Sequence, residues 1–258
     1  MPHDRVRRPA SLIAVLTAGL VSGCGDNETA PTRVAPPSAA ASGSPVAGAR
    51  AFAIAGANKA TFLIDAPLEK IKGETTKARG TLQVTPKSLS ATRGQVEIDL
   101  ETLKTETFDE VEKNATQTEH AHNWLELGPD VDAKQRAENQ WVRFTIREVT
   151  KVGVDDLSAA KEEAGKRVVE VTAAGDLWLH GVSKPKTARL SVTFEGPPEA
   201  PTAIRIKTLD PIPISLKEHD VKPRDVAGKL LQGALEKVGE KIDDKVQISI
   251  DVTAKAAP

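Results

Sequence analysis

Val96-Glu97-Ile98-Asp99-Leu100-Glu101 alternates apolar and acidic residues without a break. Successive side chains of a strand point to opposite faces, so this stretch reads as a strand with one aliphatic and one charged face. The same period of two recurs elsewhere. Phe62 and Ile64 alternate with Thr61 and Asp65, Leu82 and Val84 follow Gly80, and Val142, Phe144 and Ile146 alternate with Arg143, Thr145 and Arg147. Val169 and Val171 lead through Gly175 to Leu177 and Leu179. Leu190, Val192 and Phe194 come next, then Ile204 and Ile206, and Val246, Ile248, Ile250 and Val252 close the series. The pattern gives about eight half-buried strands. Turn signals at Gly181 to Pro185 and at Gly196-Pro197-Pro198 separate neighbours. A mainly β protein follows, with the strands closed into an antiparallel barrel because closure removes exposed edges. A barrel of that size holds its own side chains alone or one elongated ligand.

Two segments break the alternation. Residues from Phe108 to Leu127 lack period two and read as helix, stopped by Gly128-Pro129, and Asp132 to Glu138 add a further turn or two. From Arg224 to Lys241, Val226, Leu230, Leu231, Ala234, Leu235 and Val238 recur at helical spacing. This second helix is expected to cover one mouth of the barrel, its stripe serving as core or as a partner-binding face.

At the N-terminus, Arg5, Arg7 and Arg8 precede an apolar run from Leu12 to Val21 that ends in Ser22-Gly23-Cys24. A basic region, a short apolar region and small residues mark a secretory signal over 1–23. The run is too short to span a bilayer. Its end resembles the bacterial lipobox, which implies that Cys24 is acylated and anchors the mature chain to the membrane. The other reading is a plain signal peptide with a chance cysteine. Gly25 in place of aspartate leans toward the outer membrane, with the domain facing the periplasm. Cys24 is the only cysteine, so no internal disulfide is available. Residues 24–57, rich in Ala, Pro, Ser and Gly, read as a flexible tether. The barrel domain is then expected over 58–258.

The formal net charge of -1 becomes about -3 once residues 1–23 are removed. A mildly acidic chain lacks the basic footprint that nucleic acid requires. Five Phe, three Trp and no Tyr are too few rings for stacking on bases or sugars. No G-x-S-x-G elbow, CxxC frame or glycine-rich phosphate loop is present. Glu119, His120, His122 and His180 are the only candidate metal nucleus, and on a helix positions i and i+2 diverge. Solvated histidines are the alternative. Trp178 and His180 fall on the polar face of their strand. There they either cover the outside of the barrel under a helix or contact a ligand or partner at its rim.

The block Gly175-Asp176-Leu177-Trp178-Leu179-His180-Gly181-Val182-Ser183-Lys184-Pro185 resembles the G-x-L-x-x-x-G-V-[ST]-K-P hairpin of YceI-like domains. The strand from Gly94 to Thr105, with Asp99 and Thr105, and the acidic turn Asp243-Asp244 before the last strand resemble other parts of that family. The resemblance implies an eight-stranded, lipocalin-like antiparallel barrel with one or two covering helices and an elongated cavity. It implies a polyisoprenoid or related amphiphilic lipid as ligand, in a periplasmic setting. The chain departs from the family where Asn123-Trp124-Leu125-Glu126-Leu127 stands in place of an acidic-aromatic run. No histidine occurs from Lys59 to Gly73.

The leading expectation is a lipid-anchored binding module with no chemistry and no cofactor of its own. It would hold a polyisoprenoid or quinone-like lipid against Phe62, Ile98, Phe144, Leu177, Leu179, Phe194 and Ile206, which share the inward phase. Plain barrel packing is the other reading of those residues. The alternatives are a filled barrel serving as an envelope interaction module, through the Trp178 face or the 108–127 insertion, and a metal-dependent hydrolase at Glu119, His120 and His122, with or without His180.

Overall fold

The computed structural model describes residues 31–37, 47–54, 58–65, 70–222 and 245–257. The signal at 1–23, Cys24, most of the tether and the helix at Arg224–Lys241 lie outside the described residues.

The chain opens with β1 (Arg50–Ile54), β2 (Lys59–Asp65), β3 (Lys70–Thr75), β4 (Ala78–Val84), β5 (Arg93–Asp99) and the short β6 (Lys104–Thr105). Helices α1 (Val111–Trp124) and α2 (Ala133–Asn139) follow, then β7 (Trp141–Thr150), β8 (Glu162–Glu163) and the long pair β9 (Lys166–Leu179) and β10 (Val182–Glu195). The last strands are β11 (Ala203–Thr208), β12 (Ile212–Ser215) and β13 (Lys245–Ala256). Eight of them form a ring, in the order β1-β4-β5-β7-β9-β10-β11-β13, closed where Phe52, Ala53 and Ile54 face Ala256, Lys255 and Ala254. Every pairing in the ring is antiparallel.

Four of the remaining strands continue ring members. Along one flank of β13, β1 covers Ala254–Ala256 and β2 covers Val246–Asp251. On the other flank β11 covers Asp251–Lys255 and β12 covers Lys245–Ile248. Likewise β3 extends β4 against β2, and β6 extends β5 past a 3-10 turn at Leu100–Thr102. The eight alternating sets in the sequence are therefore eight staves, four of them broken once.

β1 lies within the stretch read as tether. Ala-rich surroundings hide it in the sequence, yet Phe52 is fully buried and Ile54 nearly so. Burial of two large apolar side chains at about 1.5–3 kcal/mol each fixes this segment in the ring. The boundary at residue 58 consequently falls inside the barrel. Pro31–Pro37 also rests on the barrel: Val34 N–H donates to Gly181 O at 2.6 Å, and Trp178 Nε1 donates to Val34 O at 3.2 Å. Trp178 is thus an outer-face residue covered by a strap of chain rather than by a helix.

His180 and Gly181, with φ of 51° and 79°, form the two-residue turn between β9 and β10. Positive φ at both positions is the backbone of a type I′ hairpin, whose twist matches its strands. At Gly175 the backbones of β7 and β9 approach so closely that a Cβ would lie 2.1 Å from Thr145 O. Gly175→Ala is expected to destabilise the barrel by about 1–3 kcal/mol through overpacking. Urea unfolding of the two proteins checks this, and an unchanged midpoint would contradict it.

Candidate functional site

The barrel interior divides into two parts along its axis. One end is packed solid: Phe52, Leu82, Ile204, Val252 and Ala254 are at most 1% exposed, with Phe194 among them at 4%. Towards the other end a second cluster gathers Leu100, Leu103, Leu125, Val142, Leu177, Leu179 and Ile214. Between them lies a cavity of about 190 Å³. Its wall draws on β2, β5, β7, β9, β10, β11, β12 and β13, and α1 adds Ala121 and Trp124. Among the described residues, Thr61, Thr75 and Lys186 are the only lining ones that are not apolar, and no polar atom of theirs faces the void. An apolar cavity of roughly 150 Å³ stays dry and takes up apolar guests. The same physics applies here: the described wall of the site can bury hydrocarbon.

Six of the seven residues assigned from inward phase line this cavity: Phe62, Ile98, Phe144, Leu177, Leu179 and Ile206. Phe194 does not. It pairs with Ile204 one rung beyond the Val192–Ile206 pair, at the solid end. Period two fixes which face a residue shares but not its height along the barrel. Ala121 and Trp124 on α1 and Leu103 after β5 carry no strand signal, and sequence alternation missed them, whereas Leu100 closes the alternation that begins at Val96.

A second cluster sits at the β9–β10 turn. His180 is 2% exposed; its Nε2 is 3.2 Å from Glu126 Oε2 and its Nδ1 3.3 Å from His219 O. The Glu126 carboxylate also accepts from Arg33 Nη2 at 3.4 Å, from Asn139 Nδ2 at 3.3 Å and from Gln135. Glu126 ends α1 with a φ of 54°, a left-handed position usually taken by Gly or Asn. A buried carboxylate with this many donors is satisfied in place, which is what makes its burial tolerable. The cluster pins the strap, the end of α1 and the hairpin turn to one another. Sequence reasoning missed it because its members are residues 33, 126, 180 and 219.

Glu119, His120 and His122 lie on α1, so the two histidines diverge. Among the described residues no group of three His, Cys, Asp or Glu side chains could hold a metal ion. The Trp178 side chain is covered by the strap, and the residue is 1% exposed.

The family model of the YceI-like domain matches residues 55–254. The chain belongs to the YceI-like family. No curated protein matches it. Among solved structures it is similar to a polyisoprenoid binding domain from Saccharophagus degradans implicated in plant cell wall breakdown. That likeness has 17% identity over 81% of this chain and 99% of that one, with a TM-score of 0.49. Burkholderia cenocepacia BcnA matches at 13% identity over 77% and 96% of the two chains, with a TM-score of 0.47. A Campylobacter jejuni YceI protein matches at 15% identity over 72% and 85%, with a TM-score of 0.42. At such identities and TM-scores these likenesses say nothing about what this chain binds. In this YceI-like domain the glycine-rich hairpin does two jobs: Leu177 and Leu179 face the cavity, while Trp178 and His180 anchor the strap and the cluster.

Burial pushes His219 below the usual imidazole range, against the pull of the Val182 and Leu179 backbone. It does the same to His122, against the backbone of Leu100 and Leu103. Both stay neutral in the folded protein when the unfolded chain takes up protons near pH 6.5. Stability is therefore full above that pH. It falls by up to about 1.4 kcal/mol per group for each unit below it, until the lowered folded values are reached. Urea unfolding at pH 7.5 and 5 should show this loss, and His219→Gln should shrink it. An equal loss in both proteins would remove His219 as a cause.

Proposed function

We propose that this YceI-like chain binds a long, thin apolar lipid of polyisoprenoid or quinone-like type in the barrel cavity, with no chemistry of its own. In this reading it is an envelope lipoprotein, anchored through acylated Cys24 and facing the periplasm. The observation that carries the lipid reading is a void of about 190 Å³ with no polar atom of the described residues facing it. A wall of branched aliphatic and aromatic side chains offers a guest burial at about 25 cal/mol per Å² and nothing to hydrogen-bond. The anchor rests on the sequence Val21-Ser22-Gly23-Cys24.

Magnitude narrows the guest. Pockets for compact, drug-sized ligands run to roughly 300–1,000 Å³. This cavity is smaller, so a guest enters as a flexible chain while wall side chains such as Phe62, Phe144 and Trp124 swing aside. A void at this place also weighs against the filled-barrel interaction module.

Organic extraction and mass spectrometry of the chain purified from membranes is the test, with geranylgeraniol added where nothing co-purifies. The unaltered chain is expected to carry lipid. Leu177→Trp or Ile206→Trp, which fill the void with apolar volume, should lower uptake by about tenfold or more, with the melting temperature close to that of the unaltered protein. Phe194→Leu, at the solid end, should lower stability and leave uptake in place. Undiminished uptake by both tryptophan variants would overturn the cavity as the binding site.

A further inference from the structure

Among the described residues the barrel wall has a seam between β10 and β12. β10 is paired to β11 only from Leu190 to Glu195, and Leu209 N–H adds a bond to Arg189 O. Below that, β12 has left for β13, and among the described residues no backbone hydrogen bond joins Ser183–Ala188 to Pro211–Ser215. Past the seam, the His219 ring meets Val182 O at 3.2 Å and ties the wall together again. The gap is written into the sequence by Pro185 and Pro213. Residues flanking a two-residue hairpin turn exchange hydrogen bonds with each other, so even-numbered residues of β10 bond to β9 and odd-numbered ones turn away from it. The bond at Arg189 confirms that phase. Pro185 is odd, and it places a nitrogen without hydrogen on the β12 side.

At this seam the apolar interior meets the outside. A surface pocket of about 450 Å³ lies over it, lined by Arg147, Glu148, Thr187 and Pro213 among others. Lys186 and Ile212 line both that pocket and the internal cavity. Among the described residues Lys186 is the only charged one in the cavity wall. Its ion pair with Glu218 is long, 3.8 Å, and the Glu218 side chain is 55% exposed, free to turn to water. Arg147 is held by Asp176 and occupies the bulge between Ile146 and Glu148, while the Glu148 carboxylate lies on the same lip.

We propose that the β10–β12 seam holds the head group of the bound lipid, that Lys186 contacts it, and that the head group is anionic, a phosphate or a carboxylate. The inference rests on the reading of the cavity as a lipid site. The tail lies among Leu177, Leu179 and Ile206, and the head emerges sideways through the wall beside Thr187. Lys186 releases Glu218 and pairs with the ligand. A charge-assisted contact of this kind separates an anionic head group from a neutral one on the same tail.

Three probes with one tail test it on the full chain: geranylgeranyl phosphate, geranylgeranoic acid and geranylgeraniol, each titrated by fluorescence displacement. The unaltered protein is expected to hold an anionic probe about tenfold tighter than the alcohol. The phosphate and acid arms tell which anion is preferred. Lys186→Ala should abolish that preference, Lys186→Glu should reverse it and Lys186→Arg should keep it, each read as the ratio of anionic to alcohol affinity within the same variant. Equal affinity for all three probes in the unaltered protein, or a preference that survives Lys186→Ala, would overturn the head-group site and leave the cavity reading standing. Failure of all three probes to bind would overturn the cavity reading and the seam with it.

Discussion

Closure of the ring through β13 is the constraint on which the rest depends. This 12-residue strand is flanked by a broken stave on each side: β1 and β2 on one, β11 and β12 on the other. Without β1 the strands β4 and β13 would each present a free edge, the liability that barrels exist to avoid. Closure also sets the interior. Where β1 shuts the ring, Phe52, Phe194 and Ile204 are buried in one cluster. Towards the other end part of the wall comes from α1 and from Leu100 and Leu103, which do not interleave as facing strands do. The cavity sits below them.

The outer surface carries a second piece of order. Arg79, Glu97, Arg143 and Trp178 stand directly opposite one another across β4, β5, β7 and β9. Glu97 bridges Arg79 and Arg143, and the Arg143 guanidinium lies 4.7 Å from the Trp178 ring centroid. Arg143 and Glu97 are both nearly buried. Such a row is tolerable because each charge has a partner, and truncating one member would leave the next uncompensated. The strap covers the row at Trp178 through Val34 O. It passes beside the row at Gln95, two residues from Glu97 on β5, where Gln95 Nε2 donates to Pro37 O at 3.5 Å.

Much of this was legible in the sequence, and the misses have physical causes. Eight staves followed from alternation, because a half-buried strand must alternate. α1 and α2 showed as the loss of that period. β1 and β3 escaped: Ala51-Phe52-Ala53-Ile54 sits in an Ala-rich run, and Lys70-Ile71-Lys72-Gly73-Glu74-Thr75 offers a single large apolar residue. Their strands are fixed by partners distant in the chain rather than by their own composition. Phe194 was assigned to the cavity because phase carries no information about height. The cluster at Glu126 and His180 and the contact of Val34 with Trp178 depend on chain crossings that no local pattern encodes. The strap was hardest to see, since a Pro- and Ala-rich segment is bound here through backbone groups and one arginine, not through apolar burial.

A closed barrel and a bound amphiphile make opposed demands. If every stave were paired along its length, a lipid inside would either leave its head group at the α1 end or carry it into the wall. A polar group taken from water without new partners costs several kcal/mol, and an ion far more. A side seam removes the conflict, since the tail can be enclosed while the head stays hydrated a few residues away. The cost is a stretch of unpaired strand edge, and the sequence limits the hazard. Pro185 and Pro213 deny an incoming strand its donors, and the flanking Lys184, Lys186 and Lys217 keep the edge charged. The same two prolines that open the wall to a ligand therefore close it to another sheet.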